Sequence, residues 1–89
     1  MEHRATENFW RAYDALPLAV RARADKQFAL LKANPQHPSL HFKRVGESRG
    51  VEVWSARVTL NYRALALKRE NGFLWFWIGD HGTYDGLIS

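Results

Sequence analysis

The stretch W54-SARVTLNYRALA-L67 decides how the rest of the chain is read. Its apolar residues alternate with others at a period of two, the pattern of paired strands, and Arg57 and Arg63 interrupt an otherwise mostly apolar ribbon. Guanidinium groups on such a ribbon need carboxylates from the protein itself or an anion from outside. The connection between the two strands sets where the arginines point. A three-residue loop at Thr59-Leu60-Asn61, with Asn61 left-handed, places Arg57 opposite Arg63 on one face, whereas a two-residue loop sends Arg57 to the other side. We take the three-residue form.

Downstream, YRALALKRE (residues 62–70) and FLWFWIGDH (73–81) flank Asn71-Gly72, a pair suited to a two-residue turn with positive φ at both positions. That turn predicts Glu70 opposite Phe73, Leu65 opposite Ile78 and Arg63 opposite Asp80. One row across three strands then reads Arg57, Arg63, Asp80, and the neighbouring row on the opposite face holds Val58, Tyr62 and His81. Upstream, LHFKRV (40–45), a turn at GESRG (46–50) and VEVWSARV (51–58) add a further hairpin. The segment PQHPS before it is not helical in character, and the tail GTYDGLIS reads as loosely built.

The first third is helical. Phe9, Tyr13 and Leu16 fall at i, i+4 and i+7 behind Thr6, a capping residue type, so a short helix runs to Leu16. Pro17 interrupts it and is tolerated in the first turn of a second helix, which carries Val20, Ala24, Phe28 and Leu31 on one stripe and ends at Asn34-Pro35. The expected architecture is one α+β domain over residues 1–89, an N-terminal helical hairpin packed on a small antiparallel sheet of three to four strands. Trp10, Trp54, Trp75 and Trp77 are expected in its core.

The 89 residues are 46% hydrophobic and 13% aromatic, enough to build one small core. No cysteine is present, which excludes disulfides, thiolate metal sites and cysteine nucleophiles. Thirteen Lys and Arg against nine Asp and Glu give a net charge of +4, which favours polyanionic partners. The N-terminus lacks a signal-peptide core and no stretch approaches a membrane span, so a soluble, cytoplasmic protein is expected. His37 and His41 are four apart, but Pro35 and Pro38 argue against the helix that a metal pair at that spacing needs. No glycine-rich phosphate loop or nucleophile motif occurs. Neither a metal nor a cofactor is expected.

The order helix, helix, antiparallel strands, together with HPSLHFKRV, WSARVTLNYRALAL and WFWIGDHGTYDGLI, resembles the RelE/ParE superfamily of type II toxin–antitoxin toxins over residues 6–88. Members usually open with a complete edge strand, for which only Met1–Ala5 remain here. The resemblance implies one of two activities, RelE-like cleavage of messenger RNA in the ribosomal A site without a metal, or ParE-like inhibition of DNA gyrase without cleavage. A third possibility keeps the fold as a non-toxic orphan. A cognate acidic antitoxin is the implied partner.

By the same resemblance, Arg63 matches the arginine that RelE-like toxins place at the start of this strand to hold phosphate, with Arg57 a second contributor. His81 and Tyr84 match the region where RelE-like nucleases carry a histidine or tyrosine, although Gly82 and Thr83 depart from the more usual acidic pattern there. Lys43 matches the strand that commonly carries groups assisting the base. His41, Lys43 and Arg44 alternate along one strand, which puts His41 and Lys43 on one face as a phosphate track and turns Arg44 away.

Overall fold

The computed structural model describes residues 1–88. Its elements are β1 (Glu2–Ala5), α1 (Glu7–Asp14), α2 (Leu18–Ala33), a single 3-10 turn (Pro38–Leu40), β2 (Lys43–Ser48), β3 (Val51–Thr59), β4 (Tyr62–Arg69), β5 (Gly72–Asp80) and α3 (His81–Ile88). The class is α+β with the expected helical hairpin. The sheet has five strands in the order β1-β5-β4-β3-β2 and is mixed. The additional strand is Glu2–Ala5, which pairs parallel with β5 from Glu2↔Gly72 to Ala5↔Trp75.

Thr6 caps α1 by accepting from the Phe9 N–H at 3.1 Å, and Pro17 precedes α2 with φ −54°. The two helices lie on one face, α1 against β5 and α2 against β3, and close a core of Leu16, Leu31, Leu40, Ala56, Val58, Ala64, Ala66, Phe73, Trp75 and Ile78. Two residues expected inside are not: Trp10 is 52% exposed and Phe28 40% exposed. Gln27 is buried in their place, donating from Nε2 to the Arg57 carbonyl at 3.1 Å, so a polar helix residue is satisfied by β3.

The opposite face is closed by the tail. GTYDGLI belongs to α3 rather than to a loose end, because Asp80 caps it: Oδ1 accepts from the Thr83 N–H at 2.9 Å and Oδ2 from the Thr83 hydroxyl at 3.0 Å. Tyr84 of α3 is buried against Trp77, ring centroids 6.4 Å apart. Trp77 therefore sits on this second face, half-buried, and not in the helix-side core.

Registers differ from expectation at the hairpins. The β4–β5 loop residues are Glu70 and Asn71, neither with positive φ, so Arg69 faces Gly72 and Lys68 faces Phe73. Gly72 belongs to the strand for a tertiary reason: a Cβ there would collide with the Glu2 carbonyl oxygen, so only glycine lets β1 approach. A bulge at Phe76 then shifts the pairing by one, giving Leu65↔Trp77, Arg63↔Gly79 and Tyr62↔Asp80. At β3–β4, Arg57 does face Arg63, but through a two-residue Leu60-Asn61 loop with a bulge at Val58, and Asn61 has no positive φ. The β2–β3 hairpin turns at Arg49-Gly50, φ 51° and 82°, a pairing that carries β2 on to Ser48.

Candidate functional site: a basic cluster at the β3–β4 turn

Two arginines lie directly across strands at Arg57↔Arg63, both half-buried on the α3 side of the sheet. Like charges in that position destabilise a sheet unless something neutralises them. The expected carboxylate is absent: Gly79, not Asp80, lies opposite Arg63, and both oxygens of Asp80 are engaged by Thr83. Neither arginine forms a salt bridge among the described residues.

Arg63 is held by the turn itself. Its Nη1 donates to the carbonyls of Thr59 at 2.7 Å, Tyr62 at 3.0 Å and Leu60 at 3.2 Å. These bonds use one corner of the guanidinium and fix its plane, so the rest of the fork is pre-oriented rather than consumed. Burial and the Arg57 charge push the Arg63 pKa down, while Tyr84 and Asp85 oppose that shift. Arg57 has its Nε buried without a hydrogen-bond partner, an orphan donor of the kind that costs about 1–3 kcal/mol.

The same turn holds the start of α3, since the His81 N–H donates to the Asn61 carbonyl at 2.7 Å. Thr59, Leu60, Asn61 and Tyr62 thus present their carbonyls to Arg63 or His81, tying the two to one piece of backbone. The His81 ring is partly exposed, lies 5.7 Å from the Tyr84 ring and places Nδ1 at 3.1 Å from Asp85 Oδ2. Tyr84 itself is 6% exposed and acts as a core ring, which leaves no face for stacking a base.

Lys43 faces Ser55, two residues from Arg57, so it joins the same face diagonally at about 7 Å. His41 does not share that row. It precedes β2, ending the 3-10 turn with φ 43° in the left-handed region, because the chain must turn sharply after Leu40, which is 1% exposed. Arg44 lies opposite Trp54, with Glu47 at 3.3 Å and Glu52 at 3.8 Å, so it is turned from the cluster as expected and is also charge-paired. The structure therefore gathers Arg57, Arg63, Lys43 and His81, keeps Tyr84 as their buried support, and leaves His41 and Arg44 outside.

The sequence profile described as ParE-like toxin domain matches residues 18–86. This chain belongs to that family. Its fold is shared by three solved structures. Chains from the archaeal RelE–RelB complex of Pyrococcus horikoshii OT3 (14% identity, TM-score 0.70, covering 91% of this chain and 94% of that one) and from the RelB–RelE antitoxin–toxin complex of Methanococcus jannaschii (10%, 0.71, 97% and 99%) superpose along nearly their whole length. The YoeB/ParE toxin from Agrobacterium tumefaciens is similar at 14% identity and TM-score 0.67, covering 91% and 99%. At these identities the likeness is one of fold. No curated protein matches the chain in sequence.

Asp85 is the site residue that the sequence did not reveal. Its signal is the i, i+4 spacing from His81, which becomes visible only once the tail is known to be helical.

Proposed function

We propose that this chain is the toxin of a toxin–antitoxin pair and a metal-independent endoribonuclease that cuts messenger RNA on the ribosome. The observation that carries the proposal is the cross-strand Arg57–Arg63 pair, which no carboxylate among the described residues bridges and which is tied through one turn to His81. Two arginines that face each other across the strands offer donors in the planar geometry that a phosphodiester accepts, and their mutual repulsion is relieved when the anion arrives. Lys43 extends the positive face on the adjoining strand. In the reaction, the ribose 2′-oxygen attacks phosphorus, its proton passing to a base that Lys43 assists, and the bond to the 5′-oxygen breaks. His81 protonates that leaving oxygen, and the arginines hold the phosphoryl oxygens as charge builds on them. An acidic antitoxin segment suits the +4 chain, and two of the similar structures are of toxin bound to antitoxin.

The test is purified protein added to ribosomes translating a defined message. Cut messages are expected from the wild type, with His81→Ala losing about 10² to 10⁴ in rate while still binding ribosomes. Uncut messages would overturn the proposal. A second reading, inhibition of DNA gyrase by binding alone, is favoured by the ParE-like profile match; it predicts intact messages, arrested supercoiling, and no effect of His81→Ala.

A further inference from the structure

We propose that Asp85 is a positioning residue for His81: by accepting from Nδ1–H it fixes the ring so that proton exchange with the substrate runs through Nε2. The inference rests on the nuclease reading above and assigns the atom that delivers the proton.

His81 is held at three points. Its backbone N–H is bound to Asn61 on the β3–β4 turn, its ring packs near buried Tyr84, and its Nδ1 lies 3.1 Å from Asp85 Oδ2 one helical turn further on. A carboxylate at neutral pH only accepts, so this contact is made by the Nδ1–H form of the ring, and Nε2 is the nitrogen left to face a ligand. The titratable groups in contact with the ring are Asp85 and Tyr84 of α3, and those two also act on Arg63 of β4, with Arg57 beside it on β3. Asp80, the other nearby carboxylate, is committed to Thr83. Asp85 is thus the acid that serves both catalytic groups, since its charge also favours the protonated form of Arg63.

The role in the reaction conserves every atom. The P–O2′ bond forms, the P–O5′ bond breaks, the 2′-hydroxyl proton passes through its base to water, and His81, entering the step as the imidazolium with both ring nitrogens protonated, gives its Nε2 proton to the departing O5′ and is left as the neutral Nδ1–H ring. Asp85 keeps its own state throughout and transfers nothing. A side chain that only stabilised α3 would leave the tautomer of His81 alone.

The experiment combines nitrogen-15 NMR of the His81 ring with single-turnover cleavage on ribosomes for the wild type, Asp85→Ala and Asp85→Glu. Alanine is a strong helix former at this exposed position, so the variant is expected to fold. The wild type is expected to show the Nδ1–H tautomer when neutral. Asp85→Ala is expected to lose that preference and to cleave on the order of 10²-fold more slowly with ribosome binding unchanged, the scale of a misplaced catalytic group. Asp85→Glu, whose longer arm reaches the same nitrogen, is expected to recover much of both. An unchanged tautomer in Asp85→Ala, or a changed tautomer with an unchanged rate, overturns the proposal. Intact messages with the wild type instead overturn the nuclease reading and the proton-delivery role with it, whereas the tautomer measurement alone reports whether Asp85 holds the ring.

Discussion

Replacing Arg57 by methionine should make the protein more stable and less able to hold an anion. Arg57 carries two penalties in the folded state. Arg57 Nε is buried without a partner, a cost of about 1–3 kcal/mol, and the direct cross-strand repulsion with Arg63 adds roughly 0.2–1 kcal/mol. Methionine keeps most of the aliphatic stem and removes both. Taking the low end of each, Arg57→Met gains about 1 kcal/mol, which for a domain of this size raises the melting temperature by roughly 4–8 °C. The ligand response should run the other way. A 2′-O-methyl oligoribonucleotide, which cannot be cut, present at about 100 times its Kd stabilises the wild type by about 2.7 kcal/mol, and the same concentration should do far less for Arg57→Met. Thermal unfolding of both proteins, with and without the oligonucleotide and at two salt concentrations, reads all of this. A less stable Arg57→Met, or equal stabilisation of both proteins by the oligonucleotide, refutes the idea that the pair is a strained anion site.

Two further outcomes follow from the edge of the sheet. Gly72→Ala should detach β1, because the added Cβ meets the Glu2 backbone; the bonds Glu2 N–Asn71 O, Thr6 N–Trp75 O and Trp75 Nε1–His3 Nδ1 are lost together, about 3 kcal/mol in all, and unaltered hydrogen-exchange protection of the Thr6 amide would refute this. Stability should also depend on His3, whose Nδ1 accepts from Trp75 Nε1–H at 3.1 Å and whose pKa is pushed down by burial, then by the N-terminal ammonium and Lys32. The neutral ring is the one that fits, so the unfolded chain binds the proton more readily; this stability is complete above the ordinary histidine value of about 6.5 and is lost as pH falls through the lowered one. Urea unfolding from neutral to mildly acid pH should show that loss in the wild type and a flatter profile in His3→Gln.

The elements were legible where the determining interactions are local. Thr6, Pro17 and Asn34 mark the helix ends through capping and backbone geometry, and alternation in residues 54–67 yields two strands, on which Arg57 faces Arg63 through a bulge at Val58 rather than through the three-residue loop expected. Errors arose where one residue answers to a distant one. Asn71-Gly72 reads as a turn by composition, yet Gly72 is required by the approach of Glu2, which is 70 positions away in sequence, and the bulge at Phe76 then moved Asp80 away from Arg63. The tail looks loose because Gly82 and Gly86 disfavour helix, but the Asp80 cap and the burial of Tyr84 on Trp77 stabilise α3. Trp10 is apolar by type and still half exposed, while Gln27 is polar and buried with its Nε2 donating to the Arg57 carbonyl of β3.

By itself, the sequence determined the α+β class, the helical hairpin and the basic balance, all of which depend on near-neighbour periodicity, capping and charge. Only the tertiary structure decided that β1 completes a mixed sheet, that Asp80 caps a helix instead of neutralising an arginine, and that Asp85 stands at His81. Strand register and helix docking are set by steric approach and burial between segments far apart in the chain, and a one-residue shift in either changes which charged groups meet.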